Sequence, residues 1–329
     1  MNVSSSSSES SGQATDSAPR RREPDVDATR RVPPAGARAL VLGGGGSTGH
    51  AWLIGVLTGF VETGLDVSAA DLTIGTSAGA TAAAQLAGAT AAELYGAALA
   101  APPPQAPSTA GRDQGRAARG RVVDHLERFA ALVAASADAA DMRRRMGAAA
   151  LERVAASDGS WQARWRSTVA ARLPGARWPQ RPVVLTAVDA HSGEPVVFDR
   201  HSGVDLVDAV AASTAGGGYP YEIGGRYYID GGYRSNAENA DLAAGFARVL
   251  VLSPLGGRSL YPAEWGTRLT AQVDRLRAWG SRVVTIAPGA ASEHLLGADA
   301  MDLSLRPAAA RAGYEDGRRQ AEQIADVWG

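Results

Sequence analysis

The sequence contains no cysteine and no lysine, although it is 329 residues long. Without cysteine there is no disulfide scaffold, no thiolate metal site and no thiol nucleophile. All 33 basic residues are arginine; they face 34 acidic residues, leaving a formal net charge of −1. That balance gives no positive field with which to hold a polyanion, so nucleic acid is not an expected partner. Aromatic residues make up only 6% of the chain, and no apolar run reaches 18 residues, which excludes a membrane-spanning helix at the level of the sequence. The amino terminus has no apolar segment behind its charges, so no secretory signal is expected. Apolar residues, at 45%, are enough for one large core, and one domain is expected rather than two.

Residues 1–36 hold the serine run Ser4 to Ser8, the arginine clusters Arg20 to Arg22 and Arg30–Arg31, and several prolines, the composition of a disordered tail. Ala37 to Gly43 reads as a short buried strand running into a glycine loop. Ala51 to Val61 has the i, i+3, i+4 spacing of a helix. Asp71 to Ile74 is a second strand, cut by Gly-Thr-Ser-Ala-Gly and followed by an alanine-rich helix from Thr81 to Ala87. Residues from about 101 to 181 shift to alanine and arginine without strand-like alternation, which predicts a helical insertion. The strand pattern returns at Val183–Val188, Glu194–Phe198, Arg226–Ile229, Arg248–Leu252 and Arg282–Ile286, and Ala308 to Trp328 reads as a closing amphipathic helix. Strands alternating with helices predict a three-layer α/β/α fold with a central, mostly parallel sheet. The domain is expected over 37–329.

Three motifs carry chemistry. In Gly43-Gly-Gly-Gly-Ser-Thr-Gly49, Gly44, Gly46 and Gly49 satisfy G-x-G-x-x-G between a strand and a helix, so backbone N–H groups can approach an anion. A dinucleotide site would want an acidic residue at the far end of the next strand, but Asp66 and Asp71 precede that strand. Gly75-Thr76-Ser77-Ala78-Gly79 is a G-x-S-x-G between strand and helix, the context of a serine on a strained turn with its hydroxyl exposed. Asp230-Gly231-Gly232 ends a strand on a carboxylate; alone, Asp-Gly is common turn punctuation. Together the three supply a hydroxyl, a carboxylate to accept its proton, and clusters of N–H donors, the inventory of acyl transfer.

In this order the motifs resemble the patatin-like lipid acyl hydrolases and phospholipases over roughly residues 37–290. The resemblance implies a Ser-Asp dyad, with Ser77 as nucleophile and Asp230 as base, and an oxyanion hole from Gly44, Gly45 and Gly46, chiefly the latter two, with the N–H of Ala78. Gly49, Gly75, Gly79, Gly231 and Gly232 are the remaining motif glycines. It implies lipid or fatty-acyl ester substrates, no metal or organic cofactor, and a cytoplasmic protein with peripheral membrane contact. Thr48 stands where the family often has Arg or Lys, which weakens the case for phospholipid specifically and leaves the ester chemistry intact. A Ser-Asp-His order would need a histidine after Asp230, and only His294 follows it, in a small-residue loop that reads as surface. His50 reads as an ordinary residue of the first helical turn. Trp161 and Trp165 fit a helix packing its rings into the core better than a face meeting lipid, and Arg143 to Arg145 read as a solvated face. The competing functions are a non-catalytic lipid- or protein-binding scaffold and a nucleotide-binding protein using the Gly44–Gly49 loop.

Overall fold

In the computed structural model the described residues are Met1, 35–100 and 123–328. The expected N-terminal tail and the first part of the helical insertion, 101–122, lie outside them. The parallel part of the sheet comprises β1 (Arg38–Leu42), β2 (Leu72–Gly75), β3 (Val183–Asp189), β7 (Arg248–Leu252) and β8 (Arg282–Ile286), in the order β3-β2-β1-β7-β8. β4 (Pro195–Phe198) and β6 (Arg226–Asp230) pair antiparallel with β3, and β5 (Tyr221–Ile223) forms a hairpin with β6.

Residues alternate between the two sheet faces as the period of a strand requires. Leu40, Leu42, Leu250 and Leu252 enter the apolar cluster beneath α1 (Gly46–Glu62), α2 (Ala78–Gln85), α3 (Ala91–Leu99), α7 (Leu206–Ser213) and α9 (Arg306–Trp328). Ala39, Val41, Val249 and Val251 enter the opposite cluster, under α8 (Leu269–Ala278) and the 3-10 turn Ala240–Ala243. The three-layer α/β/α expectation holds. The described end of the predicted insertion is helical, comprising 123–134 (α4), α5 (Ala139–Ala155) and α6 (Ser160–Ala170). α4 and α5 cover a third cluster with Val188, Ile229 and Tyr233. Four short elements, α3, α7, β5 and α8, were not named by the sequence reading, because three to ten residues give too little periodicity to register.

α1 is buried around most of its circumference, and its contact with α9 sets the close packing on that side of the sheet. A Cβ on Gly55 would lie 2.1 Å from the carbonyl oxygen of Ala310, and one on Gly59 2.4 Å from that of Tyr314. Reciprocally, Cβ atoms on Gly313 and Gly317 would lie 2.1 Å from the Trp52 oxygen and 2.3 Å from the Val56 oxygen. Two helices with Gly-x-x-x-Gly therefore dock backbone to backbone. The Trp52 indole N–H donates across this seam to Asp316, a buried carboxylate that also takes a bond from Arg319. Gly59→Ala has no room without parting the helices. It should lower stability by about 1–3 kcal/mol in urea unfolding, whereas Gly64→Ala, with nothing within 4 Å, should lose less despite its φ of +84°.

Candidate active site

Register places the site. Leu185 of β3 pairs with Gly75 of β2 and with Phe198 of β4, while Ala187 pairs with Asp230 of β6 and with Val196 of β4. β2 and β6 therefore share the edge of β3 opposite β4. They run toward each other and both stop at Thr186, so Ser77 and Asp230 leave two strand ends that meet over one residue.

Ser77 sits at φ 52°, ψ −111°, one of only two non-glycine residues with positive φ among the described residues. Such a backbone costs on the order of 1–3 kcal/mol and persists only where neighbours hold it. They do: the Ser77 N–H donates to the Ser213 hydroxyl at 3.0 Å, and the Thr76 N–H to the Leu42 oxygen at 3.1 Å. The flanking glycines admit the turn, since a Cβ on Gly79 would lie 1.9 Å from the Leu42 oxygen and one on Gly75 2.7 Å from Ala80 Cα.

Asp230 is 8% exposed, and one of its carboxylate oxygens accepts the Gly232 N–H at 2.7 Å. Its pKa is raised to about 6: burial penalises the charge more than the bonded Gly232 N–H and the nearby Ser77 hydroxyl favour it. The other carboxylate oxygen would lie 2.9 Å from a Cβ on Gly216, so the Thr214–Gly218 turn lies against the acid. Among the described contacts no histidine bonds to Ser77 or Asp230. His294 is exposed, as expected. His50 is buried beside Gln85, at 2.6 Å, and burial lowers its pKa to about 4; it is a neutral packing residue. His125 Nε2 lies 2.7 Å from the hydroxyl of Tyr233, which in turn donates to the Gly216 oxygen.

The glycine loop adjoins the serine: a Cβ on Gly44 would lie 3.5 Å from Ser77 Cβ. α1 starts from it at N-cap Gly45 with no side-chain cap and no acidic residue in its first turn. The backbone N–H groups of Gly45, Gly46 and Ala78 donate no bond among the described loop and cap hydrogen bonds. Gly44 is a correction. Its N–H donates to the Ala237 oxygen at 2.8 Å, so it braces the loop and is not free to bind an anion. Gly45 and Gly49 rest on Pro254, 2.7 and 3.1 Å from its Cβ as their own Cβ positions would be. Thr48 is fully buried; its N–H donates to the Ala300 oxygen at 3.0 Å, and its hydroxyl is without a partner among the described residues. Beside it, Arg306 donates to the Ser47 carbonyl and hydroxyl, each at 3.0 Å.

Trp161 and Trp165 stack at 6.2 Å and pack against the core, and the Trp165 N–H is bonded to the Ala211 oxygen, the core-packing arrangement. Arg144 and Arg145 form the expected solvated face with Asp141. Arg143 does not: its guanidinium donates to the Gly193 and Arg234 carbonyls, because a half-buried cation must find acceptors. Among the described residues no cluster of metal-ligating side chains occurs, and no helix is long and apolar enough to cross a membrane.

No protein-family model and no curated protein sequence matches the chain. Similar solved structures include the type III effector protein ExoU, at 18% identity and a TM-score of 0.37 over 89% of this chain, and VipD from Legionella pneumophila, at 12% identity and a TM-score of 0.42 over 88%. The chain spans 54% of the ExoU chain and 67% of the VipD chain. The resemblance to patatin-like hydrolases is carried by the three sequence motifs.

Burial of Asp230 has a measurable cost. With a folded pKa raised toward 6, the carboxylate destabilises the fold where it is ionised: not at all below the unfolded value of 3.8, increasingly between there and 6, and fully above. Asp230→Asn should therefore unfold at a higher temperature than wild type at pH 8, by a difference on the order of 2–3 kcal/mol that shrinks toward pH 4 in paired thermal melts.

Proposed function

We propose that this protein is a serine hydrolase of carboxylic esters of lipids, a phospholipase A or lipid acyl hydrolase. Ser77 Oγ attacks the ester carbonyl and its proton passes to Asp230. The oxyanion is received by the N–H groups of Gly45, Gly46 and Ala78. Asp230 then returns the proton to the leaving alcohol. Water attacks the acyl-enzyme, yields its proton to Asp230, and releases the fatty acid as the proton returns to Ser77.

The observation that carries this reading is a strained serine and a buried carboxylate of raised pKa at two strand ends that converge on Thr186. An unperturbed aspartate is a poor base, and a pKa near 6 brings it closer to the operating pH. Water exclusion supplies the rest, since N–H donors held in a low-dielectric site gain strength against a developing charge. Lipid as the substrate class, with peripheral contact to a membrane, is supported by apolar surface beside the loop. Met301 and Leu303 are 50% and 61% exposed, and Met301 Sδ would lie 3.1 Å from a Cβ on Gly46. No cofactor enters the scheme. Thr48 is neutral, and the cation at the loop, Arg306, is engaged with Ser47, so neutral acyl esters belong in the substrate panel beside phospholipids.

Fluorophosphonate labelling and hydrolysis of p-nitrophenyl esters and phospholipid vesicles test the reading. Ser77→Ala should abolish labelling and lower turnover by more than about a thousandfold. In wild type, kcat/KM should rise with pH through about 6 and then level off, because Asp230 must be ionised to act. A wild-type protein that neither labels nor hydrolyses any of these esters would refute the assignment.

A further inference from the structure

Resting on the hydrolase reading above, we propose that Asn239 is the positioning residue for the reaction, a single buried amide that sets both Ser77 and Asp230 through their backbone neighbours.

Asn239 is fully buried and, with Ser77, is the other described non-glycine residue at positive φ, 55° with ψ 41°. Asparagine tolerates this left-handed conformation. Two bonds hold it there: Asn236 Oδ1 accepts the N–H groups of Glu238 and Asn239 at 2.8 and 2.7 Å. The side chain therefore enters the gap between β2 and β6 with its backbone already fixed.

The orientation of the amide follows from its partners. The Gly231 carbonyl, 2.9 Å away, can only accept, so Nδ2 faces it; Oδ1 faces an Arg234 guanidinium N–H at 3.2 Å, which can only donate. The second Nδ2 hydrogen goes to the Thr76 hydroxyl at 3.0 Å. That hydroxyl lies 2.9 Å from the Thr186 hydroxyl, itself 3.5 Å from the Gly75 oxygen. The Asn239 amide and the Thr76 and Thr186 hydroxyls are all bonded, as a low-dielectric network requires, while Arg234 Nε has no partner among the described residues.

The two ends of the amide reach the reacting groups by short paths. Thr76 precedes Ser77, so a bond on its side chain fixes the start of the strained turn. On the other side, the Gly231 carbonyl and the Gly232 N–H belong to one peptide plane. Asn239 holds the oxygen of that plane, and its N–H holds the Asp230 carboxylate at 2.7 Å. A donor on the carbonyl polarises the peptide and strengthens its N–H, which favours the ionised acid. The same segment braces the oxyanion loop, since the Ala237 carbonyl accepts the Gly44 N–H. The other ionisable groups facing Asp230 are Tyr233 and Tyr261, with His125, Arg143 and Arg153 behind them; Arg234 loses one bond when Asn239 is changed but keeps its ion pair with Asp241.

The test compares the full-length wild type with Asn239→Gly, which keeps the left-handed backbone, adds no charge and removes the amide. Time-resolved fluorophosphonate labelling, steady-state kinetics from pH 4.5 to 8.5 and thermal melts are the measurements. The expected result is folded protein labelled to full amplitude at a rate lower by about tenfold or more, kcat reduced with KM nearly unchanged, and the acid limb displaced to higher pH. A wild-type labelling rate, an unmoved acid limb, or a loss of amplitude at an unchanged rate overturns the proposal, the last because it marks a merely structural role. If Asn239→Gly does not fold, Asn239→Asp keeps the shape and the Arg234 contact while losing the donor. There the labelling rate alone decides, because its own charge moves the acid limb, and a wild-type rate is again fatal. Failure of both to fold also overturns it, since Asn239 would then serve the fold. An unlabelled wild type removes the hydrolase reading itself, whereas a labelled wild type with an unaffected variant removes only the role of Asn239.

Discussion

Thr186 is the point on which the site depends. One strand edge accepts β2 from one direction and β6 from the other, and both stop beside this residue. A parallel strand followed by a turn throws its C-terminal residue above the sheet, and an antiparallel strand arriving head-on does the same from the opposite side. The strand ends that carry Ser77 and Asp230 meet because two chain directions converge. A Cβ on Gly231 would lie 2.1 Å from Thr186 Oγ1, which makes glycine a steric requirement there.

Around that junction the protein concentrates unfavourable terms. A serine in a rare backbone conformation, an asparagine in the left-handed region and a carboxylate kept from water all lie within a few residues of it. Each costs stability, and such costs collect where surrounding structure over-determines the geometry. The supply of that determinacy is visible: α7 holds Ser77 through Ser213, β3 holds Thr76 through Thr186 and packs against Gly231, and the Asn236–Asn239 segment ties together all three sequence motifs. The wider fold contributes stiffness, because α1 carries the glycine loop and is clamped to α9 at backbone contact distance.

Several particulars separate what spacing reveals from what it does not. The strand-turn-helix contexts of Gly43–Gly49 and Gly75–Gly79 were readable because a period of two followed by glycines and then a period of 3.6 has few other meanings. Asn236 and Asn239 were not. An Asn-rich stretch after an Asp-Gly-Gly turn looks like a polar loop, and only its return beneath β2 turns those amides inward. Gly44 illustrates the same limit, since any glycine in the loop could offer its N–H until the Ala237 carbonyl is found to occupy this one. Arg143 likewise shares its local sequence with two solvated neighbours and differs only in what packs over it.

By itself the sequence determined the chemistry on offer: a serine elbow, a carboxylate closing a strand, unencumbered backbone amides, a three-layer sheet architecture, and no thiol alternative. Local pattern suffices for these because turns, caps and strand faces are governed by residues a few positions apart. The tertiary structure alone decided which amides are free, which acid oxygen meets which donor, and that Asp230 has its pKa raised by burial. Those properties are set by desolvation and by hydrogen bonds between residues far apart in the chain, quantities that have no value until the chain has folded.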